Sequence, residues 1–513
     1  MLRLMANIKV DNRRIAKNTL YMYIRMLITM VVSLFTARIN FQALGIDNFG
    51  IYNVVGSIIV FFVFINQGLT IATRRYITAE IAQGTPESQR NVFNLAFLAH
   101  VMIALIILIL GETAGLWAVN TMLNIPENRM FAANIVYQLS VFTAIVSVMQ
   151  TPFTAAITAN EKMKIYAYLT IYDVLLKLVV AFGVLYITGD KLIIFAVLLC
   201  VGSTSVMFVN HLYCRVSFPM CRFVRPHNRS LLKEMFGYMG WNLGSQLMVI
   251  LTNQGVTVLV NMFFTVAANA AMGVSNQITN IVNNFVTNFQ VAFNPQITKQ
   301  YASKNWKELN DLAIRSSRFS SFLVLMFLIP ICCQIKNFLG IWLGIYPEGA
   351  VEFCVLTLLG IFLDGISAPL WMILCSDRDV KKYQIVISLI YSFNFIGAWI
   401  LLKCGFPPYS VIVARILVYA IAIVVRLWLV KERVSSFPIS QWIMDVLLKS
   451  IAISIIPIVL YFSIQNVTFD NPFVEIIVVG GGVFVTTLVS IVMFGLDNKE
   501  RKFLFEKINF KCN

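Results

Sequence analysis

Residues 235–298 run for 64 positions without one Asp, Glu, Lys or Arg. A soluble domain cannot present such a run, because about a quarter of its residues carry charge. The run is long enough for two helices, each needing about 20 residues to cross about 30 Å of hydrocarbon. Residues 91–111, 130–160 and 476–496 are further charge-free runs of span length. The whole 513-residue chain is 59% hydrophobic and only 12% charged, which excludes a soluble multidomain protein. Disorder needs high polarity, and an outer-membrane barrel alternates instead of running apolar. An all-α integral membrane protein with many spans remains.

Fourteen segments reach span length: 18–40, 50–72, 92–118, 131–157, 165–187, 192–212, 237–262, 270–296, 317–340, 351–375, 383–402, 409–430, 443–463 and 474–495. Charge placement tests this count. The chain holds 40 Lys and Arg against 24 Asp and Glu, a net charge of +16. Such a balance can serve nucleic acid, but in a membrane protein it marks cytoplasmic loops. With the N-terminus inside, 31 Lys and Arg fall at cytoplasmic ends, and only Arg129, Lys191, Lys336 and Lys403 fall at the opposite ends. Both termini are therefore expected in the cytoplasm, with no nucleic-acid partner. The basic N-terminus leads straight into further spans, so it reads as an anchor and not as a cleaved signal. The nine cysteines form no CxxC pair, and neither a disulfide nor a zinc site is expected.

The longest basic loop holds Arg222, Arg225 and Arg229 and divides two sets of six spans. An even number sends both sets into the membrane in one direction, as a parallel repeat requires. At an offset of 220, Val54, Ile58, Ala72, Ile77, Thr78 and Ala82 match Val274, Ile278, Ala292, Ile297, Thr298 and Ala302. The expected organisation is a basic N-terminus (1–17), a six-helix bundle (18–214), a basic linker (215–236), a second six-helix bundle (237–430), two extra helices (431–495) and a cytoplasmic tail (496–513).

A polar stripe at helical spacing must face protein or water, because lipid satisfies no hydrogen bond. Span 1 carries Asn18, Tyr21, Arg25, Thr29, Ser33, Thr36 and Asn40 within about 120° of arc. In span 2, Asn53, Ser57, Gln67 and Arg75 align, and in span 7 Asn242, Gln246, Asn253, Thr257 and Asn261 do. Span 8 sets Asn276, Asn280, Asn283, Thr287, Gln290 and Asn294 on one face and aromatic and aliphatic residues on the other. Single Asn and Gln residues glue helices together, but whole polar faces on spans 1, 2, 7 and 8 predict a water-filled cleft between the halves. Intramembrane charge adds candidates. Arg25 has no acidic neighbour in its span; it either snorkels or pairs with another helix, or meets an anion in the cleft, where a guanidinium suits a phosphate. Asp173 and Lys177, four apart in span 5, form either an internal ion pair or an ion-coupling site. Asp364 in span 10 either pairs with a cation or titrates, and Arg415 in span 12 is a partner for it or an anion contact. No GxxxxGK phosphate loop, HExxH or GxSxG motif and no TVGYG-like filter occurs. The residue pattern thus ranks a secondary transporter or lipid translocator above an enzyme, with no cofactor and no metal.

The run NTLYMYIRMLITMVVSLFTARINFQALGIDNFGIYNVVGSI and the following NQGLTIATRRYITAEIAQGT carry an early Asn18 and late Arg38, then the pattern ALGxxxFGIYxVV, then Arg74 and Arg75. Over these first 90 or so residues the chain resembles the polysaccharide (O-antigen or Wzx-type) flippases of the multidrug/oligosaccharidyl-lipid/polysaccharide exporter superfamily. The resemblance implies two pseudo-symmetric six-helix bundles in a V around a central cleft, with two further helices. It implies translocation of polyprenyl-diphosphate-linked oligosaccharide repeat units across the bacterial inner membrane by alternating access. It implies a monomer whose partners are the lipid-linked oligosaccharide, membrane lipids and polysaccharide polymerase or assembly proteins. On this reading Arg25, Arg75 and Arg415 meet diphosphate. Asn18, Asn53, Gln67, Asn242, Gln246, Asn253, Asn276, Asn280 and Asn283 meet sugar. The related drug exporters place acidic residues in their cavities, and spans 1, 2, 7 and 8 have none. The alternative is a small-molecule antiporter coupled to H+ or Na+ through Asp173, Lys177 or Asp364.

Overall fold

Spans 1 and 2 form one 72-residue helix, α1 (Asn12–Gln83), in a computed structural model. No loop separates them. Gly45 interrupts the helix with φ 72° and ψ 177°, a backbone conformation open to glycine and strained for other residues. The structure describes residues 12–224, 232–237, 251–291, 293–376, 381–464, 469, 471–498 and 500–501. Among these, every regular element is helical. The chain divides into two units, Met1–Ile250 and Leu251–Asn513.

In the first unit α1 is followed by α2 (Pro86–Leu110), a π-helical turn into α3 (Leu116–Thr121), then α4 (Glu127–Ala159), α5 (Met163–Tyr186) and α6 (Lys191–Ser217). Local chemistry sets the starts. Thr85 caps α2 by accepting from Ser88 N at 3.2 Å, with Pro86 in the first turn. Asp190 caps α6 by accepting from Leu192 N at 3.0 Å. Helix α1 packs on α4 and α5, α4 on α2 and α6, and α5 on α6. Gly115, in the turn before α3, permits a close approach to α4, since a Cβ there would stand 2.0 Å from the Tyr137 hydroxyl.

The second unit contains a short Val256–Phe263 helix, α7 (Val266–Val291), a short Asn294–Ala302 helix, α8 (Trp306–Cys333), a short Ile335–Leu343 helix, α9 (Ala350–Cys375), α10 (Lys381–Lys403), α11 (Ser410–Arg433), α12 (Lys449–Ile464) and α13 (Gly481–Ser490). One of its cores gathers Trp442, Phe437, Tyr383 and Leu427. On α10, Ile385, Leu389, Phe393, Ile396 and Ile400 are exposed, whereas Asn394 and Ala398 are buried. Apolar residues at helical spacing facing outward, with an Asn inside, invert the soluble pattern and fit a lipid-facing helix.

Eleven helices among the described residues are long and apolar enough to cross a membrane, and the chain is a multi-pass membrane protein. The difference from fourteen has three sources. Spans 1 and 2 merge into α1, span 7 falls largely on residues outside those described, and α7, the eighth span, is too rich in Asn and Gln to be counted by hydropathy.

Candidate functional site

A cavity of about 510 Å³ opens within the first unit, among α1, α4, α5 and α6. Its volume lies in the range of small-molecule sites, about 300–1,000 Å³. Helix α1 contributes Thr36, Asn40 and Tyr52, and α5 contributes Tyr166, Thr170, Asp173 and Lys177. Helix α4 presents Thr143, Ser147, Gln150 and Thr154, and α6 presents Ser203 and Asn210 beside Phe195.

Five side chains of this wall donate to their own helices. Thr36 donates to Val32 O at 2.8 Å, Thr143 to Leu139 O at 2.8 Å, Thr170 to Tyr166 O at 2.8 Å and Thr154 to Gln150 O at 3.3 Å. Asn210 Nδ2 likewise donates to Val206 O at 2.9 Å. Each hydrogen satisfies a carbonyl of its own helix, as Ser, Thr and Asn do where no water is at hand, and leaves side-chain oxygen lone pairs free. The Oδ1 of Asn40 is buried and accepts no hydrogen bond. The wall is therefore rich in acceptors and matches a ligand rich in donors.

Charge enters at α5. Lys177 Nζ donates to Asp173 Oδ2 at 2.8 Å, and the two side chains remain 47% and 30% exposed. The guanidinium of Arg25 stands 5.2 Å from the centre of the Tyr166 ring, a cation–π contact with a residue of the wall, and its buried Nε donates no hydrogen bond. Arg25 itself lies outside the lining.

The structure thus joins Asp173, Lys177 and the end of the α1 stripe in one cavity, and the other described candidates are not among its lining residues. Asn53 is half-buried, and its Nδ2 donates to Phe49 O at 2.7 Å. Arg75 is exposed on α1. Asn242, Gln246 and the side chains of Asn18 and Gln67 fall outside the described residues. In the second unit Asn253, Asn280 and Asn283 are exposed, Asn276 is half-buried and Arg415 is buried in α11. Asp364 stands 3.6 Å from Arg426, not Arg415. Arg426 is buried and also donates to Ser367 Oγ, to Tyr391 OH at 2.9 Å and to Tyr383 OH at 3.3 Å. That network ties α11 to α9 and α10.

The lining residues of α4 and α6 were missed from the sequence, although a signal existed. Thr143, Ser147, Gln150 and Thr154 repeat at steps of four, three and four, one face of a helix. Arg426 was missed because, at the end of its span, it counted as a loop charge.

The chain matches no protein-family model and no curated protein sequence. Solved structures share its fold. The lipid II flippase MurJ, in an inward closed conformation, has a TM-score of 0.69 at 13% identity, over 92% of this chain and 98% of that one. An inward-facing multidrug-resistance MATE transporter of the MOP superfamily has a TM-score of 0.62 at 12% identity, over 81% and 98%. A point-mutant form of the Vibrio cholerae MATE transporter VcmN has a TM-score of 0.55 at 17% identity, over 82% and 97%. At these identities the likeness is one of fold.

Proposed function

We propose that this chain is a flippase of the bacterial inner membrane. It moves polyprenyl-diphosphate-linked oligosaccharide repeat units, by alternating access, for surface polysaccharide or O-antigen assembly. The observation that carries the reading is the acceptor-rich wall of the first unit's cavity. Thr36, Thr143, Thr154, Thr170 and Asn210 direct their hydrogens to their own helices. A saccharide, dense in hydroxyl donors, is the ligand class that such a wall satisfies. A cationic drug brings few donors. The fold shared with a lipid II flippase over 92% of the chain supports the same reading.

In this reading Arg25 serves the diphosphate. Its guanidinium is held against Tyr166 with Nε uncommitted, and Arg offers phosphate a planar pair of donors. Arg75 and Arg415 are further anion contacts, and the Asn faces of spans 1, 2, 7 and 8 extend the sugar path. The chain acts without a cofactor, as a monomer with both termini in the cytoplasm, beside polymerase or assembly proteins.

The test is reconstitution in liposomes with a labelled polyprenyl-diphosphate oligosaccharide, following its movement between leaflets. Wild type moves the lipid, and Arg25→Ala at equal folded amount slows it at least tenfold, the loss of one charge-assisted contact. Normal movement by Arg25→Ala removes the phosphate role. No movement by folded wild type sinks the flippase reading. Asp364 favours the alternative of a coupled antiporter, because half of its side chain remains exposed beside Arg426. Resistance to cationic compounds that disappears in Asp364→Asn would establish it.

A further inference from the structure

We propose that Lys177 makes the first unit's cavity selective for an acidic saccharide, such as one bearing a uronic-acid carboxylate. The inference rests on the flippase reading for the source of its ligand, and deepens it by naming which sugars the site prefers.

The Asp173–Lys177 pair is the starting point. Both residues sit on α5, so the pair ties no two helices together and adds nothing to the packing of the bundle. An ion pair removed from water loses hydration that its own attraction only partly restores. A wall of neutral hydroxyls and amides would close the same cavity without that loss. The pair nevertheless lines the cavity, with both side chains partly exposed to it. Lys177 is the more exposed, and one of its three donors goes to Asp173.

The remaining lining separates anion from cation. The threonines and Asn210 offer acceptors, which repel a carboxylate and welcome hydroxyls. An acceptor-only group entering here needs a strong donor, and the ammonium of Lys177 is the one cation in the lining among the described residues. Asp173 balances Lys177, and Arg25 adds a positive charge behind Tyr166. The lining pair is neutral, and Arg25 against Tyr166 tips the local balance to positive. At low dielectric that balance favours a negative ligand and disfavours a cationic one. A saccharide carrying one carboxylate fits both halves: its hydroxyls donate to the wall, and its carboxylate shares or takes over Lys177.

The experiment has two arms. In the first, detergent-solubilised full chain is titrated with lipid-free oligosaccharides, one with a uronic acid and one with the matching hexose, and binding is read by intrinsic tryptophan fluorescence. These ligands carry no diphosphate, so a preference reports the sugar carboxylate alone. Wild type should bind the acidic sugar about tenfold more tightly, the size of one charge-assisted hydrogen bond. Lys177→Gln should lose that preference and keep binding of the neutral sugar. Lys177→Arg should retain it. Asp173→Asn, which frees Lys177, should raise acidic-sugar affinity several-fold. A pair with a purely structural role predicts instead that Lys177→Gln and Asp173→Asn fall together for both sugars. That result, or equal binding of the two sugars by wild type, overturns the proposal. If one variant fails to fold, the other and the wild-type preference still decide.

In the second arm, leaflet movement is measured for polyprenyl-diphosphate lipids bearing the two sugars. Faster movement of the acidic one by wild type, levelled in Lys177→Gln, supports the proposal. Equal movement of both overturns it while the flippase reading stands. Movement of neither by folded wild type removes the flippase reading, and the binding arm alone then decides the subsite.

Discussion

Two glycines show how differently one residue type constrains this chain. Nothing stands within 4 Å of where a Cβ would lie on Gly45, so a side chain there meets no wall. The whole penalty of Gly45→Ala is the strain of φ 72° with ψ 177°, about 1–3 kcal/mol. Gly115 has ordinary helical dihedrals on either side of its contact, but a Cβ would stand 2.0 Å from the Tyr137 hydroxyl. Gly115→Ala should therefore lower the melting temperature in detergent at least as much as Gly45→Ala, at about 1–3 kcal/mol. Tyr137→Phe in the same chain should recover part of that loss by removing the clashing oxygen. Additive losses in the double variant would show that the two helices part instead of repacking. The sequence marks Gly45 as part of a motif, yet not as a break inside one helix. Ala43, Leu44 and their followers keep helical dihedrals, and the sign of one φ leaves no trace in composition.

Charges at the ends of helices are where sequence and structure part at the scale of elements. Arg318 and Arg426 lie near span ends and counted as loop residues, but both are buried inside helices. Their partners are remote in sequence: Asp497 and Glu500 for Arg318, and Asp364, Tyr383 and Tyr391 for Arg426. Hydropathy windows cannot see such pairings. The boundaries of α5, α9 and α11, by contrast, were legible within a few residues, because long apolar runs end there. A second end-cluster joins three helices of the first unit. Arg129 donates to both oxygens of Asp190 at 2.7 and 2.9 Å and to Asn48 Oδ1 at 2.7 Å, close to the break at Gly45. These groups are 26% and 30% exposed, so solvent weakens the pair, and Arg129→Ala should cost only about 1 kcal/mol. Arg318 and Glu500 are 5% and 12% exposed, and Arg318→Ala should cost more, about 2–3 kcal/mol, because it removes two charge-assisted contacts while Glu500 keeps Arg315 at 3.1 Å. Equal melting shifts for the two variants would refute that ranking. Asp190 adds a pH dependence. The hydrogen bond from Arg129 holds its carboxyl below its usual value of 3.8, against the opposing effect of burial. A depressed folded value means that its contribution is complete above pH 3.8 and lost as pH falls through the lower folded value. Melting curves of Asp190→Asn should run parallel to wild type above that pH and converge on it in stronger acid.

For the whole molecule, the legible part was the class: charge-free runs and a basic balance point to an all-helical multi-pass membrane protein. The cavity was legible only in fragments, since its wall is assembled from four helices whose polar residues each look like helix glue alone. Energetics then supply the last prediction. A polyprenyl diphosphate carries negative charge, and its outward movement across an inside-negative membrane is downhill by about 2.3 kcal/mol per charge per 100 mV. That corresponds to about fiftyfold in the equilibrium ratio of the two leaflets for each charge that crosses. With Asp173 paired to Lys177 in the cavity lining, the potential acts on the lipid without a counter-ion bound to the protein. Imposing 100 mV on reconstituted liposomes should therefore shift the leaflet ratio of the labelled lipid strongly, and reversing the sign should reverse the shift. A monophosphate-linked analogue, with less charge to carry, should shift less under the same voltage. A pH gradient without voltage should leave the ratio near unity. A ratio that ignores voltage and follows the pH gradient would mean that protons accompany the substrate, and would move the assignment to the coupled antiporter, with Asp173 and Asp364 as the carboxylates to neutralise next.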